Sequence, residues 1–392
     1  MHSFRLTPTS DQESILLRHC AHARFVWNLC VEQESHWHRG RRPAPGYLEK
    51  CRQLTAARAE HAWLREGSQL VQQQAIRDHA QAMNGYFMRT HGRPTWRKAG
   101  RNEGFRIVAV GTNDVRRLNR NTGAVRMPKV GWVRFRWSRV LPSGVKSYRV
   151  SRDPAGRWHV AFATVPDPVP APGNGRVVGV DRGVKVSAAL STGELLHVPG
   201  LQPTQQRRLV LLQRRLARCQ RGSNRRRRVK NAIAKLKARD ADRRKDWAHK
   251  VSTDLARRFD VIRIEDLNIR AMTRSGKGTA DAPGRKVRAK AGLNRSILHS
   301  GWGLLVYDLD YKASGRIERV ITAYTSQRCS ACGHVDAKSR ESQAVFACTA
   351  CGYTLNADVN AAKNIAAGHA VTARGGDGIT RPGNREPQRL SC

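Results

Sequence analysis

Two short cysteine pairs constrain this chain more than any other feature. They are Cys329-Ser-Ala-Cys332 and Cys348-Thr-Ala-Cys351, 15 residues apart, each followed by a glycine, Gly333 and Gly352. A C-x2-C turn presents two thiolates from one tight bend, and two such turns complete the tetrahedron that Zn2+ prefers. Glycine after each pair permits the positive φ that such turns often need. Four thiolates leave no open coordination position, so a zinc ion here is expected to be structural. Four unliganded cytosolic thiols would leave the spacing without a cause. His334 reads as a surface residue rather than a spare ligand. The other cysteines (Cys20, Cys30, Cys51, Cys219 and Cys392) are scattered. Met1 to Glu13 has no apolar stretch of the secretory kind, so a reducing cytoplasm is expected rather than a disulfide framework. Cys20 and Cys30 fall in an apolar-periodic stretch and read as small core residues.

A cysteine ribbon is a small part of 392 residues, and the rest is strongly cationic. Lys and Arg number 72 against 30 Asp and Glu, a formal net charge of +42. Such a surplus repels itself without a polyanionic partner, which disfavours an ordinary metabolic enzyme. Nucleic acid is the first candidate partner and an anionic membrane surface the second. Hydrophobic residues make up 40%, enough for real cores, which disfavours a disordered polycation. No run of 18 apolar residues exists, so no transmembrane helix is expected.

Texture along the chain predicts an α/β protein of several domains. Residues 1–10 hold one short strand, expected to be the first of a β-barrel. Thr9-Ser-Asp-Gln12 reads as a helix start with a capping box. Apolar residues at Leu16, Cys20, Ala23, Val26, Trp27 and Cys30 follow at helical spacing, and 11–95 reads as helical. Over 96–168 short alternating runs suggest a small barrel or sandwich, with a hairpin across Asp153-Pro-Ala-Gly156. The Pro-rich stretch 165–175 is the linker. From 176 to 324 the pattern is α/β, with strands at Val177–Val180 and Val261–Ile264. Residues 206–250 read as a basic helical hairpin. Met272 to Gly292 reads as a mobile loop, Leu298 to Leu309 as one helix, and Arg319 to Tyr324 as a strand. The cysteine ribbon fills 325–354, a last segment 355–370, and a disordered tail 371–392.

Acids are scarce, so acids at the ends of apolar strands stand out. Asp181 ends Val177-Val-Gly-Val180, Glu265 ends Val261-Ile-Arg-Ile264, and Asp358 opens a helix. Three carboxylates meeting at one point could hold two Mg2+ about 3.5–4 Å apart, the arrangement used in phosphodiester cleavage. Taken singly, strand-end and helix-cap acids are common structural features. Asp266 is expected to point elsewhere. The run Arg225, Arg226, Arg227 and Arg228 is a candidate phosphate contact, its alternative being a solvated charged face. Trp96, Trp132 and Trp137 among arginines could stack on bases, although such Trp are more often core.

These residues resemble the TnpB (OrfB) proteins of bacterial insertion sequences, relatives of the type V CRISPR effectors. The resemblance spans about 1–368 in order and spacing. It includes Leu6-Thr-Pro-Thr-Ser-Asp-Gln12, Ala23-Arg-Phe-Val-Trp-Asn28, Val178-Gly-Val-Asp181, Ile264-Glu265-Asp-Leu-Asn268, Thr325-Ser-Gln327 before the cysteines, and Asn356-Ala-Asp358-Val-Asn-Ala-Ala362. It implies an RNase H-like (RuvC) nuclease domain with an inserted zinc ribbon, preceded by a helical recognition lobe and a wedge-like β-barrel. It implies Asp181, Glu265 and Asp358 as catalytic metal ligands. It implies a guide RNA from the transposon end, a DNA target, and a cytoplasmic, nucleoid-associated protein of a bacterium or archaeon. Arg182 stands where many members have an apolar residue, and Asn356-Ala357 where many have Asp-Arg. The functional expectation is an RNA-guided, Mg2+-dependent DNA endonuclease supporting transposition. A nuclease-idle RNA-guided regulator and a transposase acting directly on DNA strands are the alternatives.

Overall fold

The computed structural model describes residues 2–36, 40, 44–108, 110–141, 144–164, 166–279, 281–321 and 323–368. The expected tail, with Cys392, lies outside them. The chain starts with β1 (His2–Arg5), α1 (Ser10–Ser35), α2 (Tyr47–Glu60), α3 (Ala62–Glu66) and α4 (Gln69–Phe87). Six strands follow: β2 (Gly104–Val108), β3 (Val115–Arg117), β4 (Thr122–Met127), β5 (Gly131–Arg136), β6 (Ser147–Arg152) and β7 (Trp158–Ala163). Next come β8 (Val177–Asp181), β9 (Ala188–Leu190), β10 (Leu195–Leu196), α5 (Pro203–Arg218) and α6 (Asn224–Arg258). Then come β11 (Val261–Glu265), α7 (Ile269–Met272), α8 (Val287–His299), α9 (Trp302–Lys312) and β12 (Ile317–Val320). β13 (Val345–Ala347), β14 (Thr354–Asn356) and α10 (Ala357–Ala366) close the order. Contacts divide the chain into two compact units, 1–167 with 200–243 and 168–199 with 244–392.

In the first unit the capping box forms as expected. Gln12 N donates to Thr9 Oγ1 at 3.3 Å, and Thr9 N donates to Gln12 Oε1 at 3.2 Å. The buried face of α1 carries Leu16, Cys20, Ala23, Val26 and Cys30, which join Val71 and Ile76 of α4 in one core. Burial raises the thiols of Cys20 and Cys30, to about 12 and about 11, as befits inert core residues. The strands form two antiparallel sheets, in order β1-β7-β6-β2 and β3-β4-β5, linked by a bridge between Leu6 and Phe135. Among the described residues the ladder does not close into the expected barrel. A short 3-10 turn, Thr112–Asp114, separates β2 from β3 and delivers them to different sheets. The expected hairpin is β6–β7, its turn held by Asp153 Oδ1, which accepts from Ala155 N and Arg157 N at 2.9 and 2.8 Å.

The second unit is built on a five-stranded sheet in order β10-β9-β8-β11-β12, with β8, β11 and β12 parallel and β9 and β10 antiparallel. Val178 and Val180 on β8, with Ile262 and Ile264 on β11, pack against Leu255, Phe259, Leu305 and Leu309. Their alternation with Gly179 sends the glycine to the opposite face, under α10. Three sequence expectations need correction here. The stretch 272–292 is not all loop, because α8 begins at Val287. The single helix from Leu298 to Leu309 is instead α8 and α9, broken at Gly301, whose φ of +75° an L-residue rarely adopts. The expected strand 319–324 is shorter and earlier, Ile317–Val320.

Candidate active site

Asp181 and Glu265 end adjacent parallel strands. Ile264 pairs with Val180, so the two carboxylates leave the same end of the sheet side by side. Asp358 reaches them on the first turn of α10, whose cap is Asn356: its Oδ1 accepts from Asp358 N and Val359 N at 3.0 and 3.1 Å. α10 sits unusually close to β8. A Cβ at Gly179 would lie 2.0 Å from the Ala362 carbonyl oxygen and 2.4 Å from Ala366 N. Only glycine fits there, and its absence of side chain brings Asp358 down to the strand end. Asp181 feels both other acids. Burial first, then the charges of Glu265 and Asp358, push the Asp181 carboxyl up to about 8. Burial also raises Glu265, opposed by the backbone N–H and the charge of Arg182. Asp266 is exposed.

Two arginines enter this cluster, and sequence reasoning did not assign either of them a role. Arg182 is 7% exposed. Its backbone N donates to Glu265 Oε2 at 3.3 Å, and its guanidinium donates to the Glu265 carbonyl. It therefore braces the strand end that carries Glu265. Arg340 donates to Asp358 Oδ1 at 3.3 Å. Its signal in the sequence was only its place between the two cysteine pairs.

The four cysteine sulfurs lie within 4.8 Å of one another, the sole such ligand group among the described residues. Two of the separations, Cys329 to Cys351 and Cys332 to Cys348, are 3.8 and 3.6 Å. A tetrahedron of Zn–S bonds near 2.3 Å has edges of about 3.8 Å, so the thiol set fits zinc. The two turns are equivalent. Gly333 N donates to Cys329 O and Gly352 N to Cys348 O, each at 3.0 Å, with φ of +79° and +70°. His334 is exposed, outside the cluster. The ribbon is tied to α10. Asn360 Nδ2 donates to Arg328 O at 2.7 Å and its Oδ1 accepts from Ser330 N at 2.9 Å, while Asn364 Nδ2 donates to Thr325 O at 2.9 Å. Both asparagines are buried. Their four-residue spacing behind Asp358 was the available signal, and it was not read.

The arginine run divides. Arg225, Arg227 and Arg228 are exposed on the first turn of α6, whereas Arg226 donates to Leu216 O and Cys219 O at 2.8 and 3.2 Å and caps the end of α5. Among the aromatics, Trp96 is exposed, Trp132 lies under the Arg116 guanidinium at 4.0 Å, and Trp137 stacks on Phe135.

A family profile described as "Probable transposase", OrfB of IS605, matches residues 159–276. A profile described as "Cas12f1-like, TNB domain" matches 302–365, and a "Helix-turn-helix domain" matches 1–42. The described part of that last stretch folds as one strand and one long helix. "Putative RNA-guided DNA endonuclease InsQ" of Escherichia coli (strain K12) is 36% identical over 379 residues, 95% of this chain and 93% of that protein. "Putative RNA-guided DNA endonuclease" of Streptomyces pristinaespiralis is 32% identical, covering 99% and 96%. The cryo-EM structure of a Cas12f1–sgRNA–target DNA complex matches with a TM-score of 0.58 at 14% identity, over 91% of this chain and 83% of that one. At that identity the likeness concerns the fold alone, a mixed α/β fold shared with Cas12f1. Near-complete coverage at more than 30% identity settles the relationship: the chain belongs to the TnpB (OrfB) family of insertion-sequence proteins.

Proposed function

We propose that this protein is an RNA-guided, divalent-metal-dependent DNA endonuclease of an insertion sequence. The observation that carries the reading is the convergence of Asp181, Glu265 and Asp358 at one end of a parallel strand pair. On this reading the five-stranded sheet is an RNase H-like (RuvC) core spanning 176–324 and 355–370, with the zinc ribbon of 325–354 inserted before its last acid. Residues 11–95 then act as the recognition lobe, and 1–10 with 96–168 as the wedge. The partners are a guide RNA from the transposon end and a DNA strand paired to it, and the setting is the nucleoid of a bacterial or archaeal cytoplasm. No described helix is long and apolar enough to cross a membrane.

Each residue has a distinct task. The three carboxylates offer oxygen ligands, which hard divalent cations such as Mg2+ select. Their mutual repulsion, expressed at Asp181, is the charge that a pair of cations relieves. Bound there, two Mg2+ would supply an activated water and stabilise the leaving oxygen of the phosphodiester. Arg182 fixes the Glu265 strand end, and Asn356 with Gly179 fixes Asp358. The four thiolates hold a structural zinc, which anchors α10 through Asn360 and Asn364. Arg225, Arg227 and Arg228 belong to a cationic hairpin suited to backbone phosphates, while pairing with the guide would read sequence.

The test is cleavage of DNA matched to the co-purified RNA, with Asp181→Ala beside the unaltered protein. Loss of cutting with RNA and DNA binding retained supports the reading. Strand transfer by a preparation free of RNA would instead favour a transposase acting directly on DNA.

A further inference from the structure

Trp27 and Asn28 end the N-terminal signature and take no part in the carboxylate site. Their contacts lead to a second cationic site in the first unit. Asn28 grips the backbone of Arg97 from both sides: its Nδ2 donates to Arg97 O at 3.0 Å, and Arg97 N donates to its Oδ1 at 2.7 Å. Trp27 Nε1 donates to Thr95 O at 2.9 Å, and the Arg97 guanidinium lies 3.5 Å from the Trp27 ring. Two neighbouring residues of α1 thus set both the place and the aim of one arginine.

Arg97 lines a cavity of about 320 Å3 with Arg106, Arg149, Asp78 and Ser147. Arg106 and Arg149 stand directly opposite each other on β2 and β6, a like-charge pair that costs a sheet stability unless something offsets it. The β7 residues paired with Arg149 and Ser147 are Ala161 and Ala163, so the floor of the cavity is built of small side chains. Asp78 is the single acid in the lining, and its carboxylate already accepts from Gln74 Nε2 at 2.8 Å. Three guanidiniums against one carboxylate leave the cavity positive. Burial lowers Arg97 to about 10, so it is a charged, partly desolvated cation at neutral pH.

We propose that this cavity takes a backbone phosphate of nucleic acid, held by Arg97, Arg106 and Arg149, and that Trp27 and Asn28 serve to aim Arg97 at it. The proposal rests on the nucleic-acid reading above. An anion there offsets the cross-strand repulsion, which explains why a sheet would carry that pair. Mononucleotide stacking is not required, because the lining offers charge rather than free aromatic faces.

The test measures binding of the full chain to a mixed-sequence single-stranded RNA and a mixed-sequence duplex DNA across a salt series. The variants are R106Q/R149Q, Asn28→Ala and Asp78→Asn. Losing one phosphate contact flattens the slope of log Kobs against log salt by about 0.7 on single strands or about 0.9 on duplex. R106Q/R149Q and Asn28→Ala are expected to flatten it on the same nucleic acid, with affinity down roughly tenfold. Asp78→Asn is expected to tighten binding, a gain that misfolding does not produce. Flattening on RNA alone assigns the phosphate to the guide, and on duplex alone to the target. Unchanged slopes in R106Q/R149Q and Asn28→Ala, with the unaltered protein binding normally, overturn the site and leave the nuclease reading intact. Flattening in R106Q/R149Q but not in Asn28→Ala overturns the aiming role. An unaltered protein that binds neither nucleic acid overturns both.

Discussion

The thiol cluster and the carboxylate cluster sit in one unit and solve opposite problems. Four sulfurs come from 23 residues of chain, Cys329 to Cys351, and their turns repeat the same hydrogen bonds and the same positive-φ glycine. Three acids come from positions 181, 265 and 358, and need a parallel sheet and a docked helix to meet. Four thiolates would saturate a zinc ion and close it to chemistry, while three carboxylates would be too few to close around a hard cation and would leave room for water and substrate. The apolar core of the ribbon is small, Phe346 and Ala357 beside Cys329 and Cys348, so a zinc ion held by the four thiols would add much of its stability. The lesson is that the closed site supports the open one. β14 leads straight into α10, and the ribbon's carbonyls are bonded to Asn360 and Asn364 on the helix that carries Asp358.

The largest expected effect breaks the open site alone. Asp181→Ala should reduce cleavage by roughly 10^3-fold or more while leaving zinc content and nucleic-acid binding unchanged, read by metal analysis and gel shift. Next comes the closed site. Cys329→Ser should lose zinc and, through α10, lower cleavage by roughly 10^2-fold, with the first unit still folded by circular dichroism. Full cleavage without zinc would separate the two sites and break the comparison. Third is the contact that joins helix to strand. Gly179→Ala should destabilise the second unit by about 1–3 kcal/mol, since the Cβ meets backbone that cannot rotate away. Smallest is Arg340→Gln. Arg340 pairs with Asp358 across 3.3 Å, so its removal should lower the Mg2+ needed for half-maximal cleavage by about fivefold, the effect of one partly buried ion pair worth about 1 kcal/mol. A higher requirement would make Arg340 part of the machinery instead.

What the sequence revealed follows the same division. The cysteine turns, the capping box at Thr9 and Gln12 and the β6–β7 hairpin were legible because each is closed within a few residues. The candidate acids were legible as residue types at two strand ends and a helix start. Their meeting was given only by the family resemblance, because locally it depends on Gly179 admitting α10 at backbone distance. Arg182 looked like a departure from the family pattern. Its burial against the Glu265 carbonyl is a tertiary fact with no local signature. The break at Gly301 was missed because Leu298, Trp302, Leu305 and Leu309 keep helical spacing across it. The arginine run looked uniform, yet Arg226 is turned inward to cap α5 while its neighbours face solvent.

The most direct measurement is a guided cleavage assay. Protein purified from cells carrying its own transposon end would be given DNA matched to its bound RNA, in Mg2+ and in chelator, with Asp181→Ala alongside. The account predicts cutting only by the unaltered protein, only with Mg2+, and only on matched DNA. Equal cutting by Asp181→Ala, or cutting that ignores the RNA sequence, would contradict it.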